Sequence, residues 1–490
     1  MIDNADQIAR RLGCFLSQAK LQSARTLDKA LEPIAKFAIA RLRCAVPVAK
    51  KNLAPSIWQN LNQHLKDRFA FVLEPTLRVE QRAEQAVARS LGDRRFTGEI
   101  ALRKTFKLFP GLPDTVARLT ADWIDAQREL LARLSRDRAI IREKFLGGQR
   151  QFRVVAIQPS LSDPHNGGRT VTLIEFAGNR RVIYKPRPCD GERLWFRALD
   201  WLSRNGIGRA FCVLRLVSRK NYCWMEFLPS RGCRNLGEVR RFYFRWGVQT
   251  ALAQILGASD LHRENWRACG EQPILVDAES IGNDPMRGLQ DRQSLRALLE
   301  TGLLPLIERD RAGIYKGIAP FDLRLAKSAA PNCWPRCKGI IQTPARYVND
   351  LIRGFEATVK IFSHPAAPQK FFREVIQRPL RDRRGRIFAR ASGEYARLLA
   401  ASLAPSNMMA RGQRWRWLAR RCCESSLNQR IGLAEARALV RCDIPKFTAA
   451  GRTSGMSWEQ LNIAIAELTR SSRLLRRRVL LGARTRRATR

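Results

Sequence analysis

Asp260, His262 and Asn265 stand at D-x-H-x-x-N spacing, ahead of a short apolar run, Ile274-Leu275-Val276, that ends in Asp277-Ala278-Glu279. That order of side chains suits a phosphoryl-transfer centre. Asp260 would orient or deprotonate an acceptor hydroxyl, and Asn265 and Asp277 carry the hard oxygen donors that Mg²⁺ prefers. His262 would order the loop or contact phosphate. Glu279, two residues beyond Asp277, would bind metal or assist proton transfer. Each residue also has a plainer use, because aspartate caps helices and histidine fills cores.

Such chemistry needs a rigid frame, and the residues ahead of the motif have the periodicity of one. Strands are expected over 152–158 and 171–176, separated by Ser162-Asp163-Pro164-His165-Asn166-Gly167-Gly168-Arg169, and a third over 181–185 follows the turn Ala177-Gly178-Asn179-Arg180. A helix over 191–203, strands over 211–218 and 222–227, and a long helix over 236–256 come next. Strands with one helix, then a long helix and a polar loop, is the order of a two-lobe kinase-like fold. Lys185 ends the third strand, where its ammonium would project towards nucleotide phosphates, as does the lysine on the third strand of protein kinases. In the loop before it, Gly167 and Gly168 would let backbone N–H groups approach phosphate oxygens. Arg169 adds a bidentate donor, with Asp163 and His165 beside it, for phosphate or a phosphopeptide. An ordinary hairpin turn would use the same glycines.

Helical patterns flank this core. Val116, Leu119, Trp123, Leu130 and Leu134 recur at helical spacing after Pro110-Gly111-Leu112-Pro113, with Asp114 as a possible cap. The first 150 residues therefore read as a helical scaffold or substrate-docking region. Beyond Pro285, Tyr347, Leu351, Phe355, Val359 and Phe362 form one apolar face, and Ser457 with Gln460 makes a capping box before Leu461, Ile465 and Leu468. The expected division is a helical region over 1–150, an N-lobe over 151–235, a C-lobe with helical additions over 236–475, and a basic tail over 476–490. The fold class is thus α+β, a two-lobe catalytic core with extensive helical segments.

At 490 residues and 45% hydrophobic content, the chain can bury a sizeable core. No apolar run approaches the roughly 18 residues of a membrane span, and the N-terminus lacks a signal-peptide layout, so a cytoplasmic protein is expected. A net charge of +45 will attract polyanions, yet the basic residues are spread throughout, with no zinc-finger or RNA-binding signature to organise them. Specific nucleic-acid recognition is not expected. The 12 cysteines are mostly single and read as small buried thiols. The two clusters, Cys333-x-x-x-Cys337 and Cys422-Cys423, lack neighbouring histidines, so no zinc is expected.

Taken together, these motifs resemble the dehydratase domain of class II lanthipeptide synthetases, the LanM type. The resemblance rests on residues 163–169, Val182-Ile183-Tyr184-Lys185-Pro186-Arg187 and Gly257-Ala258-Ser259-Asp260-Leu261-His262-Arg263-Glu264-Asn265. It extends through Val276-Asp277-Ala278-Glu279, Thr301-Gly302-Leu303-Leu304-Pro305 and Asp443-Ile444-Pro445-Lys446-Phe447, covering roughly 105–475. It implies a lipid-kinase-like fold that phosphorylates Ser and Thr of a ribosomal precursor peptide with ATP and Mg²⁺, then eliminates phosphate to leave dehydroalanine or dehydrobutyrine. The family's ATP-site lysine falls on Lys185, its catalytic acid, histidine and asparagine on Asp260, His262 and Asn265, and its metal aspartate and neighbouring glutamate on Asp277 and Glu279. For elimination the family uses an arginine and a threonine six residues apart, ahead of a tyrosine. Arg386, Ser392 and Tyr395 occupy that pattern here, with serine in place of threonine.

LanM enzymes also carry a zinc-dependent cyclase. With four histidines in the chain, and His64 and His364 outside any cyclase-like motif, ring formation is expected to need a separate cyclase partner. Two other readings stay open: a peptide kinase that does not eliminate, and a non-catalytic pseudoenzyme or basic binding protein. The complete ATP and Mg²⁺ set argues against the pseudoenzyme. The positive surface would help steer an acidic leader peptide.

Overall fold

The computed structural model describes residues 5–18, 23–47, 52–91, 99–148, 151–281, 301–304, 319–321, 332–377, 386–387, 389–426, 428–448 and 456–484. Its elements mix α and β, with helices in the majority and small sheets. The chain divides into two units. The first comprises Met1–Arg187, Asn221–Glu226 and Phe388–Phe447, and the second Pro188–Lys220, Phe227–Ile387 and Thr448–Arg490.

In the first unit, the helix Gly111–Arg136 buries Val116, Leu119, Trp123, Leu130 and Leu134, as its 3.6-residue periodicity requires. It begins at Gly111, with no side-chain cap. Asp114 therefore lies in the first turn, where its charge meets the helix dipole instead of capping it. Strand β1 (Val154–Gln158) pairs antiparallel with β2 (Thr172–Phe176), and β2 with β3 (Arg180–Lys185) in the register Leu173↔Ile183 and Ile174↔Val182. Strand β4 (Leu216–Ser218) belongs to the second unit and is shorter than the expected 211–218. Phe211 and Leu214 are buried outside any strand, so apolar content there marks burial without a ladder. Strand β5 (Cys223–Glu226) returns to the first unit and pairs with β3, setting Lys185 opposite Cys223.

His64 shows how this unit treats an ionisable core residue. Its Nδ1 accepts the Trp123 indole N–H at 3.0 Å, and its Nε2 lies 2.9 Å from the Ser160 hydroxyl. The imidazole is therefore neutral, with its proton on Nε2. Burial, assisted by nearby Arg68, lowers its pKa from 6.5 to about 4.

In the second unit, the helices Leu236–Ile255 and Val348–Phe362 cross at glycine. A Cβ on Gly247 would lie 1.8 Å from the Leu351 carbonyl oxygen, and one on Gly354 would lie 1.9 Å from that of Phe244. Backbone meets backbone here, so no rotamer change could relieve a side chain. Leu351, Phe355 and Phe362 are buried on the expected face. The capping box forms as read: the Gln460 N–H donates to the Ser457 hydroxyl at 3.1 Å, and the Ser457 N–H to the Gln460 amide oxygen at 2.7 Å. The helix it starts, Trp458–Arg484, takes in most of the expected basic tail, and 485–490 lie outside the described residues. Among the described residues, no helix is long and apolar enough to cross a membrane.

The cysteines are free thiols apart from Cys189 and Cys223, each of which is disulfide-bonded, against the expectation of thiols throughout. Burial pushes the Cys233 and Cys333 thiols up to about 12, far from reactive thiolates.

Replacing Gly354 with Ala should cost about 3 kcal/mol or more in denaturant unfolding, because the helix backbones must separate. Unfolding as a function of pH tests His64. Its depressed pKa gives a stabilising contribution that is complete above about 6.5 and is lost as pH falls towards about 4. His64→Gln should flatten the profile across that window.

Candidate functional site

The polar motif is mounted on a buried indole. Trp266 opens β6 (Trp266–Cys269), which forms a hairpin with β7 (Gln272–Leu275), and both Trp266 and its partner Leu275 are fully buried. The Trp266 ring packs between Trp195 and Trp246, at centroid distances of 6.2 and 5.6 Å. Its N–H donates to the Leu261 carbonyl at 3.2 Å. The N–H of the fully buried Leu261 donates in turn to the Thr301 carbonyl at 2.8 Å. A side chain on Gly302 would meet the Leu261 nitrogen at 3.0 Å, so glycine there lets the two segments close.

Asp260, held next to this anchor, adopts a left-handed backbone with φ of 58°. Aspartate tolerates that region better than most residues, and such conformations gather at functional sites. Asn265 completes the turn: its side-chain N–H donates to the Asp260 carbonyl at 2.7 Å and its backbone N–H to the His262 carbonyl at 3.0 Å. The His262 Nδ1 accepts the Glu264 N–H at 3.3 Å, which puts the proton of the neutral ring on Nε2, 3.9 Å from Asp260 Oδ1. The Asn265 carbonyl accepts the Val276 N–H at 2.8 Å, drawing the loop against the residue before Asp277. Asp277 lies in a turn beyond β7 instead of on the strand expected to deliver it. Its Oδ1 accepts the Glu279 N–H at 3.3 Å. Behind this turn, a Cβ on Gly191 would lie 2.0 Å from the Ala278 carbonyl, so the helix Asp190–Leu202 backs directly onto it.

Asp260, His262, Asn265, Asp277 and Glu279 are thus half-buried residues of one loop assembly. Asn265 commits its amide nitrogen to Asp260, which leaves the oxygen at the opposite end of the amide. Among the described residues, no three His, Cys, Asp or Glu side chains form a metal-holding group. A cation here would take the Asn265 oxygen and the Asp277 carboxylate and complete its shell with phosphate and water, as suits Mg²⁺.

The glycine loop lies in the other unit, and its amides have a partner from within the chain. Gly167 and Gly168, with φ of 87° and 73°, turn both N–H groups onto the buried Asp443 carboxylate, at 2.5 and 2.8 Å. The nest that the sequence reading gives to phosphate therefore holds a carboxylate. His165 and Arg169 close the loop as a hairpin through paired backbone bonds of 3.0 and 2.9 Å. The His165 Nδ1 lies 2.7 Å from the Ile444 carbonyl, and the Arg169 guanidinium pairs with Glu129 at 2.5 Å. Asp163 is exposed. Close by, Arg441 pairs with the buried Asp122 at 2.6 Å. Burial raises the carboxyl pKa of both Asp443 and Asp122 above the usual range. Lys185 is buried at the end of β3.

Arg386 lies on the short strand Arg386–Ile387 of the second unit, and Ser392 opens the helix Ser392–Ser402 of the first. Sequence reasoning missed the anchor of the Ser392 segment. Arg390 grips the fully buried Glu435 with two bonds of 2.9 Å, and the Tyr395 hydroxyl donates to the same carboxylate at 2.7 Å. Burial and this carboxylate raise the Tyr395 pKa. The only sequence signal was a glutamate on an otherwise apolar helix face, which by itself identifies no partner.

Residues 109–323 and 319–450 match a protein family described as a domain of unknown function, DUF4135. The chain belongs to this family. Among curated proteins, it is 28% identical over 247 residues to the lacticin 481/lactococcin biosynthesis protein LcnDR2 of Lactococcus lactis subsp. lactis, a match covering 41% of this chain. The match spans about a quarter (26%) of that protein's length. The DUF4135 membership and this relative bear out the resemblance to the LanM-type synthetases. Within the DUF4135 matches lie the Asp260–Glu279 assembly, the glycine loop and Asp443.

Asp443→Asn should lower unfolding stability by about 1–3 kcal/mol, because an amide cannot accept from both buried N–H groups without presenting its own donor to one of them. Chemical denaturation measures this.

Proposed function

We propose that the chain phosphorylates Ser and Thr of a ribosomal precursor peptide with ATP and then eliminates phosphate, leaving dehydroalanine or dehydrobutyrine. The observation that carries this reading is the clamp that holds strained Asp260 beside His262, Asn265 and Asp277 on one loop assembly. The similarity to a lacticin 481/lactococcin biosynthesis protein supports the choice of a peptide substrate.

In the phosphorylation step, Asp260 takes the proton of the substrate hydroxyl as its oxygen bonds to the γ-phosphorus of ATP and the bond to the bridging oxygen breaks, releasing ADP. His262, which presents an N–H from Nε2, orients Asp260 or a phosphate oxygen. Mg²⁺, held by Asn265 and Asp277, would neutralise charge on the phosphates. Lys185 would hold nucleotide phosphate, as the lipid-kinase-like reading of the fold requires. With its amides on Asp443, the glycine loop serves this reading as a positioning element for the strands around Lys185. A direct phosphate contact from Gly168 would need that carboxylate to withdraw, and one from His165 or Arg169 would compete with the Ile444 carbonyl or with Glu129.

In the elimination step, a base removes the α-proton, the Cβ–O bond breaks, and phosphate leaves as Arg386 balances its charge. Ser392 and Glu279 would assist at the leaving phosphate and in proton transfer. Thioether rings would then be closed by a cyclase acting on the dehydrated peptide. This work on a precursor peptide suits a cytoplasmic location.

Mass spectrometry of a co-expressed precursor from a neighbouring reading frame tests the reading: loss of water is expected in the wild type. Asp260→Ala should slow phosphorylation by about 10²–10⁴-fold and leave peptide unmodified. Arg386→Ala or Ser392→Ala should accumulate phosphopeptide. A wild type that accumulates phosphopeptide is a kinase only, and one that shows no thermal stabilisation by Mg·ATP is a binding protein.

A further inference from the structure

The first unit contains an open cleft of about 980 Å³, lined by none of the residues given a catalytic, nucleotide or metal role above. Three helices each turn one face to it: Arg10, Gly13 and Cys14 from Ala5–Gln18, Arg103, Phe106 and Lys107 from Leu102–Leu108, and Pro113, Asp114, Ala117 and Arg118 from Gly111–Arg136. Arg411 completes the rim. Five cations thus face a single carboxylate, Asp114, which lies 3.8 Å from Arg411. Beneath them, Leu16, Phe106 and Ala117 form an apolar floor.

Gly13 is the informative residue. Glycine inside a helix costs about 0.5–1 kcal/mol relative to alanine. At Gly247 and Gly354 a helical glycine is needed for backbone contact, whereas at Gly13 it is not. A Cβ on Gly13 would meet nothing within 4 Å. The missing side chain instead keeps the cleft wall open.

We infer that this cleft binds an acidic, amphipathic peptide segment. The volume is at the upper end of the ~300–1,000 Å³ of small-molecule sites, and the open form has room for several residues of a chain. Arginine forks match carboxylates, and the floor takes the apolar side chains between them. An acidic peptide can set apolar side chains on the floor between its carboxylates, and a peptide N–H can donate to Asp114. The inference deepens the proposed function only by naming where its peptide would dock. As a binding claim it stands apart from the chemistry.

The test is fluorescence anisotropy on the full chain, with a labelled synthetic peptide that carries Leu at i, i+3 and i+4 spacing and Glu elsewhere. Oligo-glutamate and a single-stranded oligonucleotide of equal charge serve as competitors. The peptide should bind best, and Arg103→Glu with Lys107→Glu should weaken it about tenfold or more. Gly13→Gln should block the cleft and weaken binding similarly while leaving the thermal midpoint unchanged or raised, which no merely structural role for Gly13 would produce. Unchanged affinity in both variants overturns the proposal. So does equal binding of oligo-glutamate, which would show attraction to net charge alone, or preferential binding of the oligonucleotide. Thermal stabilisation by Mg·ATP is read separately, so failure of the docking site and failure of the phosphoryl-transfer reading are distinguishable.

Discussion

The buried indole of Trp266 is the fixed point on which the candidate chemistry depends. Its ring is held among Trp195 and Trp246, and its N–H holds the Leu261 carbonyl. Leu261 is then pinned from its other side by Thr301. A residue pinned on both sides cannot relax its neighbour, so Asp260 keeps a left-handed backbone that an unrestrained loop would leave. Asn265 closes the turn and aligns it with the segment entering Asp277. The polar residues are therefore arranged by apolar packing, and their mutual geometry is as rigid as the aromatic cluster beneath them.

The other unit solves a different problem, that of satisfying charge inside a strongly basic chain. Asp443 is buried, and burial alone would favour its protonated form. Two glycine amides at 2.5 and 2.8 Å supply donors that make burial tolerable, and the glycines are needed because both adopt left-handed angles. The same logic recurs at Glu435, buried between Arg390 and Tyr395, and at Asp122, paired with Arg441. In a chain with 89 basic and 44 acidic residues, several of the scarce carboxylates serve as interior ties between segments distant in sequence.

Much of the frame was legible in the chain. The three strands before Lys185, the helix beginning near Leu236 and the Ser457–Gln460 capping box depend on periodicity and on bonds three residues apart, and such local rules need no distant partner. The start of the helix Gly111–Arg136 and the length of β4 were misjudged for the complementary reason. A strand exists only where another strand offers its backbone, and Phe211 and Leu214 are buried without one.

By itself, the sequence determined which side chains could do chemistry: the D-x-H-x-x-N spacing, the carboxylates after the apolar run, and the lysine at the end of a strand. Only the tertiary structure decided how they are held and what they touch. Spacing could not tell that Gly167 and Gly168 receive Asp443, some 275 residues away, because a nest of amides attracts a carboxylate and a phosphate by the same electrostatics. Nor could it tell that Gly247 and Gly354 are needed for backbone contact while Gly13 opens a cleft. A glycine shows no side chain in any sequence, and its meaning depends on what stands where the Cβ would be.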